Sequence, residues 1–188
     1  MSNIRKEENF TYADALEWED SFRAELIEGE IFMMAPPETI HQDIVGELFA
    51  ILHNYLNGKA CRAYIAPFGV RLFPKPDLSD NTLVEPDIAV VCDKSKIDKR
   101  GCNGAPDMIV EVLSPSSARH DQVVKFRLYQ NAGVREYWIV DGETQVVHVH
   151  VLSANNYITT VYEEPDEVPV SVLPGCIIPL KDVFSQGD

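Results

Sequence analysis

Between residues 39 and 57 the apolar positions Ile40, Ile44, Val45, Leu48, Phe49, Ile51, Leu52, Tyr55 and Leu56 recur every three or four residues. That spacing gathers them on one broad face and predicts a helix over 39–57. Thr39 and Gln42 fit a capping box at its start, and Asn57-Gly58 fits a stop. His41 falls inside the apolar face at its N-terminal end, and Glu47 falls on the flank. Ahead of this helix, FRAELIEGEIFMM (22–34) reads as two short strands around Glu28-Gly29, stopped by Pro36-Pro37. Strands are expected at about 61–66 and 68–73, then a polar loop, FPKPDLSDN, and a strand at 83–92, LVEPDIAVVC. The loop DKSKIDKRGCNG leads into a strand through MIVEVL (108–113). A second helix is expected over 117–132, closed by Gly133. REYWIVD (135–141) is rich in β-formers, and Asp141-Gly142 turns the chain into TQVVHVHVL. The rest reads as a short meander with a Pro-rich tail. The order is αβββαβ with an extra N-terminal hairpin and extra C-terminal strands. It predicts an α/β (α+β) domain with a central mixed β-sheet flanked by helices.

Length and composition narrow the class. A chain of 188 residues, 45% of them hydrophobic, suits one domain over 1–188 with a sizeable core. No apolar run approaches the roughly 20 residues needed to span a bilayer. The opening MSNIRKEENF also lacks the apolar core of a secretory signal. These features lead to the expectation of a soluble, cytoplasmic protein with no membrane partner. Cysteines at 61, 92, 102 and 176 form no C-x-x-C pair and match no zinc spacing, so reduced, structural cysteines are expected. The net charge of −14 argues against avid non-specific binding to nucleic acid, which needs Lys and Arg on phosphates. The charge is uneven: −6 over residues 1–30, −7 over 141–188 and −1 over 31–140, so the central part is nearly neutral.

Glu111 interrupts the apolar run from Met108 to Leu113. An ionised carboxylate buried there needs a partner or must hold a proton. Glu85 and Asp87 lie two residues apart in the strand expected over 83–92, so both are expected on one face. Pro86 between them marks a strand start, an edge or a bulge. If that strand neighbours the one carrying Glu111, backbones about 4.8 Å apart bring the carboxylates close enough to share a Mg²⁺. On the second helix Val124, Leu128 and Ala132 mark the expected buried stripe. Asp121, Lys125 and Tyr129 run along the same side, and Arg119, Arg127 and Gln130 project to the other. Lys125 then faces the sheet, where it pairs with Asp121 or Glu111 as a structural ion pair or serves a site. Convergence of Asp87, Glu111 and Lys125, with Glu85 and Asp121 nearby, favours the site.

Several stretches carry a resemblance. ELIEGEIFMMAPP followed by His41, VEPDIAVV, GAPDMIVEVLSPSS, the spacing of Asp121, Lys125 and Tyr129, and GVREYWIVD occur in this order over about residues 22–150. The chain resembles the PD-(D/E)XK nuclease superfamily, and more closely its Uma-type family of bacterial restriction endonucleases. The resemblance implies a restriction-endonuclease-like fold, a Mg²⁺- or Mn²⁺-dependent phosphodiesterase site, DNA as substrate and a homodimer. In the superfamily motif the lysine sits two residues after the second acid. That position here is Leu113, and Lys125 is the natural replacement. The implied roles are Asp87 and Glu111 as metal ligands, with the main-chain carbonyl of Val112, and Lys125 as the residue that orients water or stabilises charge. Glu85 or Glu47 completes a second metal site or supports the first. His41 reads first as a hydrogen-bonded core histidine and second as a supporting residue.

Two alternatives stand beside an endonuclease. One is a catalytically inactive module that uses the fold to bind nucleic acid or protein, which the net charge and the displaced lysine favour. The other is a metal-dependent hydrolase of another phosphate ester. His148 and His150 share a strand face without an evident third ligand, as polar positions of a half-exposed strand do. Ser114, Ser116 and Ser117 lack a G-x-S-x-G context and read as capping residues.

Overall fold

Glu28 and Gly29 both take positive φ, 52° and 87°, the conformation of a two-residue turn that matches the twist of its flanking strands. The computed structural model describes residues 9–19, 22–114 and 120–185, with the side chains of His120 and Asp121 outside that description. Helix α1 (Tyr12–Ala15) precedes the hairpin of β1 (Ala24–Ile27) and β2 (Glu30–Met33), which pairs Ala24 with Met33 and Ile27 with Glu30. Then come α2 (Thr39–Leu56), β3 (Arg62–Ile65), β4 (Gly69–Arg71), β5 (Leu83–Val84), β6 (Ile88–Val91), β7 (Gly101–Asn103) and β8 (Met108–Val112). A π-helical turn (His120–Lys125) runs into α3 (Phe126–Ala132), followed by β9 (Glu136–Asp141), β10 (Val146–Ser153) and β11 (Asn156–Glu163). β12 (Glu167–Pro169), β13 (Ile177–Pro179) and α4 (Leu180–Phe184) complete the described chain.

The central mixed sheet is present, with strand order β11-β10-β9-β8-β6-β3 and a parallel β8–β9 pair among antiparallel neighbours. A second sheet, β2-β1-β5-β4-β7, was not expected as a separate layer. Alternation along β8 explains how the core divides. Met108, Val110 and Val112 join the cluster formed with α2, α4, β12 and β13. Ile109 faces the other way, into the cluster formed with α3 and the second sheet. Glu111 has the parity of Ile109, so it points into the space between the two sheets.

Four local expectations need correction. Thr39 is the first helical residue of α2 rather than its cap, because Glu38 takes the extended capping conformation and makes no side-chain cap bond. Glu85 and Asp87 do not share a strand. β5 ends at Val84 in one sheet and β6 begins at Ile88 in the other. Pro86, which has no N–H for a ladder, sits where the chain crosses between them. Val124 is 39% exposed rather than part of the buried stripe, because it lies in the π turn, whose wider winding shifts residues ahead of α3 out of α-helical phase. Leu128 keeps its place in the core, and residues 117–119 of the expected helix lie outside the described residues. Finally, Cys61 and Cys92 form a disulfide, with sulfurs 2.06 Å apart. β3 and β6 pair Arg62 with Val91, so the two cysteines occupy the next cross-strand position. Cys102 and Cys176 are buried free thiols.

His150 is also more buried than a half-exposed strand implies, at 5% exposure. Its Nδ1 lies 2.8 Å from Thr159 Oγ1, and the rings of Phe126, Tyr137, Tyr157 and His148 surround it. Burial, with a smaller contribution from His148, lowers its pKa to about 4. The unfolded chain, with an ordinary imidazole near 6.5, binds the proton first as the pH falls, so this histidine withdraws stability between pH 6.5 and about 4. The shift corresponds to about 3 kcal/mol. His150→Gln should flatten the fall in urea midpoint across that window; a slope equal to that of the wild type would assign the acid sensitivity to carboxylates instead.

Candidate active site

β6 and β8 run antiparallel, with Ile88 opposite Val110 and Ala89 opposite Ile109. Extended by one residue, that register sets Asp87 opposite Glu111 at the mouth of the ladder. Both side chains line one cavity of about 440 Å³, shared with His41, Glu25, Glu85, Lys125 and Val112. Asp87 is held at Oδ2, which accepts the Val112 N–H at 2.8 Å and lies 3.2 Å from His41 Nε2. His41 reaches it from the first turn of α2 and is 9% exposed, so the histidine expected in the core stands at the cavity wall.

Glu111 is held from α3. Its Oε1 accepts the Tyr129 hydroxyl at 2.7 Å and lies 2.9 Å from Lys125 Nζ. Lys125 and Tyr129 are one helical turn apart, and both are buried. Burial first, and then the Glu111 charge, hold the Tyr129 phenol well above its usual pKa. It therefore remains a donor to the carboxylate throughout the neutral range. Arg127 is exposed on the other side of the helix, as its position predicts.

The ammonium of Lys125 has a second partner that the sequence reading missed. Glu25 Oε1 lies 2.9 Å from Nζ, and the same oxygen accepts the Glu85 N–H at 2.9 Å. Glu25, Glu111 and Lys125 are each only 4% exposed. A carboxylate from the second sheet thus meets one from the central sheet across a single lysine. The available signal was an acid between Ala24 and Leu26 in a four-residue strand that is buried throughout. Arg23, also missed, lines the cavity and lies 3.2 Å from Glu85 Oε2. Glu85 therefore contributes its amide to Glu25 and its carboxylate to Arg23. Glu47 is half-buried on α2 and is not among the cavity-lining side chains. The Asp121 side chain lies outside the described residues.

The donor set fits a hard cation. Asp87 and Glu111 offer oxygen only, and both hydrogen bonds to the Asp87 carboxylate fall on Oδ2. A strand residue's N–H and C=O lie on the same edge, so the Val112 carbonyl faces the side on which its amide meets Asp87. Mg²⁺ keeps several waters and takes one or two carboxylates, so it needs no more protein ligands than these. Among the described residues no group of three or more His, Cys, Asp and Glu side chains is placed to hold a metal ion.

Known proteins share this architecture. The chain is similar to a crystal structure of a "putative nuclease" from Anabaena variabilis, with a TM-score of 0.75 and 24% identity, covering 94% of this chain and 98% of that one. At that identity the likeness bears on the fold alone, a mixed α+β architecture. An uncharacterised protein of Synechocystis sp. is 26% identical over 157 residues, 81% of this chain and 80% of that protein. Among the described residues no helix is long and apolar enough to cross a membrane. Residues 12–181 match the model of the Uma2 family, described as "Putative restriction endonuclease", and the chain belongs to that family.

Proposed function

We propose that this chain is a metal-dependent endonuclease that hydrolyses DNA phosphodiester bonds in the cavity between β6, β8, β1 and α2. One observation carries the reading: Lys125, far from the expected motif position, returns its ammonium to within 2.9 Å of Glu111 in the cavity that Asp87 lines. Family membership and the nuclease-like fold support it.

Asp87 and Glu111, with the Val112 carbonyl, would hold Mg²⁺ or Mn²⁺. Such an ion supplies Lewis-acid polarisation of a phosphoryl oxygen and a bound water of lowered pKa. His41 and the Val112 amide fix one oxygen of Asp87 and leave the rest of that carboxylate directed at the cavity. Tyr129 fixes Glu111 by donating its hydroxyl to Oε1. Lys125 holds a positive charge beside the carboxylates, where it can offset charge that develops on phosphate oxygens or orient the attacking water. Glu25 holds that ammonium in place from the second sheet.

Metal binding can be separated from catalysis. Mg²⁺ or Mn²⁺ should raise the melting temperature of the wild type, since a ligand of the native state stabilises it. Asp87→Ala should lose most of that shift. In the absence of metal the same variant should melt within a few degrees of the wild type, because Asp87 is only partly buried. An equal shift in both proteins would place the metal elsewhere. Incubation of the wild type with single-stranded, duplex and branched DNA in either metal, read on gels, tests the chemistry.

A non-catalytic binding module is the competing reading, favoured by the net charge of −14 and by the two carboxylates that already share Lys125. Metal-induced stabilisation without cleavage of any nucleic acid or other phosphate ester would favour it.

A further inference from the structure

The cavity does not end at its carboxylates. It is also lined by the end of β2, with Phe32 and Met33, and by the connection from β2 to α2, with Met34, Pro36 and Pro37. Met33 is 66% exposed, a large apolar side chain left in solvent beside a charged site. The wall is anchored at both ends: the Met34 N–H donates to the Arg23 carbonyl at 3.0 Å, and α2 begins at Thr39. Pro36 and Pro37 fix their own φ and remove two backbone donors, so this stretch presents apolar surface with little polar backbone. Gln42 lines the same cavity from the first turn of α2 and brings a carboxamide, a group able to pair with the edge of a nucleobase.

We propose that this apolar wall seats the base of an unpaired deoxynucleotide whose phosphate lies at Asp87, Glu111 and Lys125, so that the substrate is single-stranded or locally unpaired DNA. The inference rests on the nuclease reading and names its substrate class. A nucleotide carries its charge at one end and an apolar, flat base at the other, joined through a sugar. The cavity has the same polarity across a space sized for one small ligand, about 440 Å³. In a duplex the base stays inside the stack and reaches such a wall only by leaving it, a cost that a single strand largely avoids. Electrostatics agree. Among the described residues the cavity is lined by two cationic side chains, Arg23 and Lys125, and four carboxylates, Glu25, Glu85, Asp87 and Glu111. A chain of net charge −14 is poorly equipped to follow a duplex backbone, whose binding depends on many Lys and Arg contacts. Contact with the base supplies affinity that the phosphates alone do not provide here.

Fluorescence anisotropy with Ca²⁺ in place of Mg²⁺ tests this without turnover. The probes are a labelled oligothymidylate, an abasic oligomer of equal length and the oligothymidylate annealed to its complement. The single strand should bind about tenfold more tightly than either of the others, the effect of one well-seated base. Met33→Ala, at an exposed position, should fold normally and remove most of the difference between the oligothymidylate and the abasic oligomer while leaving abasic binding unchanged. Equal affinity for the abasic oligomer and oligothymidylate, equal affinity for the duplex, or an equal loss on both single strands in Met33→Ala overturns the base seat. The two readings fail separately. Base-dependent binding with no cleavage in Mg²⁺ or Mn²⁺ ends the nuclease reading and keeps the seat. Cleavage indifferent to the bases, with the abasic oligomer bound as well, keeps the nuclease and ends the seat.

Discussion

Lys125→Met should destabilise the protein by about 3–5 kcal/mol, the usual cost of removing one partner from a buried ion pair. The side chain keeps its length and loses its charge, which takes from Glu25 and Glu111, each 4% exposed, the ammonium that lies 2.9 Å from both. Urea denaturation at neutral pH measures the loss. Adding Glu25→Gln should recover more than half of it, because one carboxylate is then removed and the amide can still accept the Glu85 N–H. A double variant as unstable as Lys125→Met alone would mean that the lysine acts through packing rather than charge. At a temperature where the single variant remains folded, cleavage should be at least about 100-fold slower, the common effect of losing a positioned charge stabiliser. Equal cleavage would assign that role to another residue.

Glu111→Gln should leave the fold nearly intact and reduce cleavage by about 100- to 1000-fold. The amide can still accept from Tyr129 and Lys125 through its oxygen, so the packing between β8 and α3 is kept. The negative charge that would hold a divalent cation is lost. Steady-state cleavage together with the melting temperature separates the two effects. Arg127→Ala is the control, since that side chain is exposed on the far side of α3. It should change stability by no more than about 0.5 kcal/mol and leave cleavage as it is. A Glu111→Gln variant that cuts at the wild-type rate would remove Glu111 from the site.

The parts of this architecture that the sequence made legible are those governed by local rules. The apolar spacing of 39–57 is a property of one helix, and α2 spans Thr39–Leu56. Glu28-Gly29 selects its own turn, and Gly133 closes α3 in the left-handed conformation with φ 84°. Lys125 and Tyr129 lie four residues apart and both reach Glu111, Lys125 from the last residue of the π turn and Tyr129 from α3. Val124 does not follow, because the π turn ahead of α3 breaks the periodicity on which its placement depended.

Long-range pairing was not legible. Glu25 meets Lys125 only because the second sheet packs over α3, and Cys61 meets Cys92 only through the register of β3 with β6. Glu136 shows why a buried acid is not in itself a site. It is fully buried in β9, where burial raises its pKa. Its oxygens accept from Trp138 Nε1 and the Val172 N–H, both at 2.8 Å, so it ties the C-terminal segment to the sheet. Glu111 differs in its company: a lysine, a tyrosine and a neighbouring aspartate around an open cavity.

The most direct test of the account is a comparison of DNA cleavage by the wild type and by Asp87→Asn, with Mg²⁺, with Mn²⁺ and with chelator, on single-stranded and duplex substrates. Asp87→Asn keeps the shape of the side chain and removes the charge that would hold the ion. The wild type should cleave DNA in either metal and not in chelator, and a folded Asp87→Asn should cleave it in no condition. Cleavage by the variant at the wild-type rate, or no cleavage by the wild type of either substrate, would contradict the account.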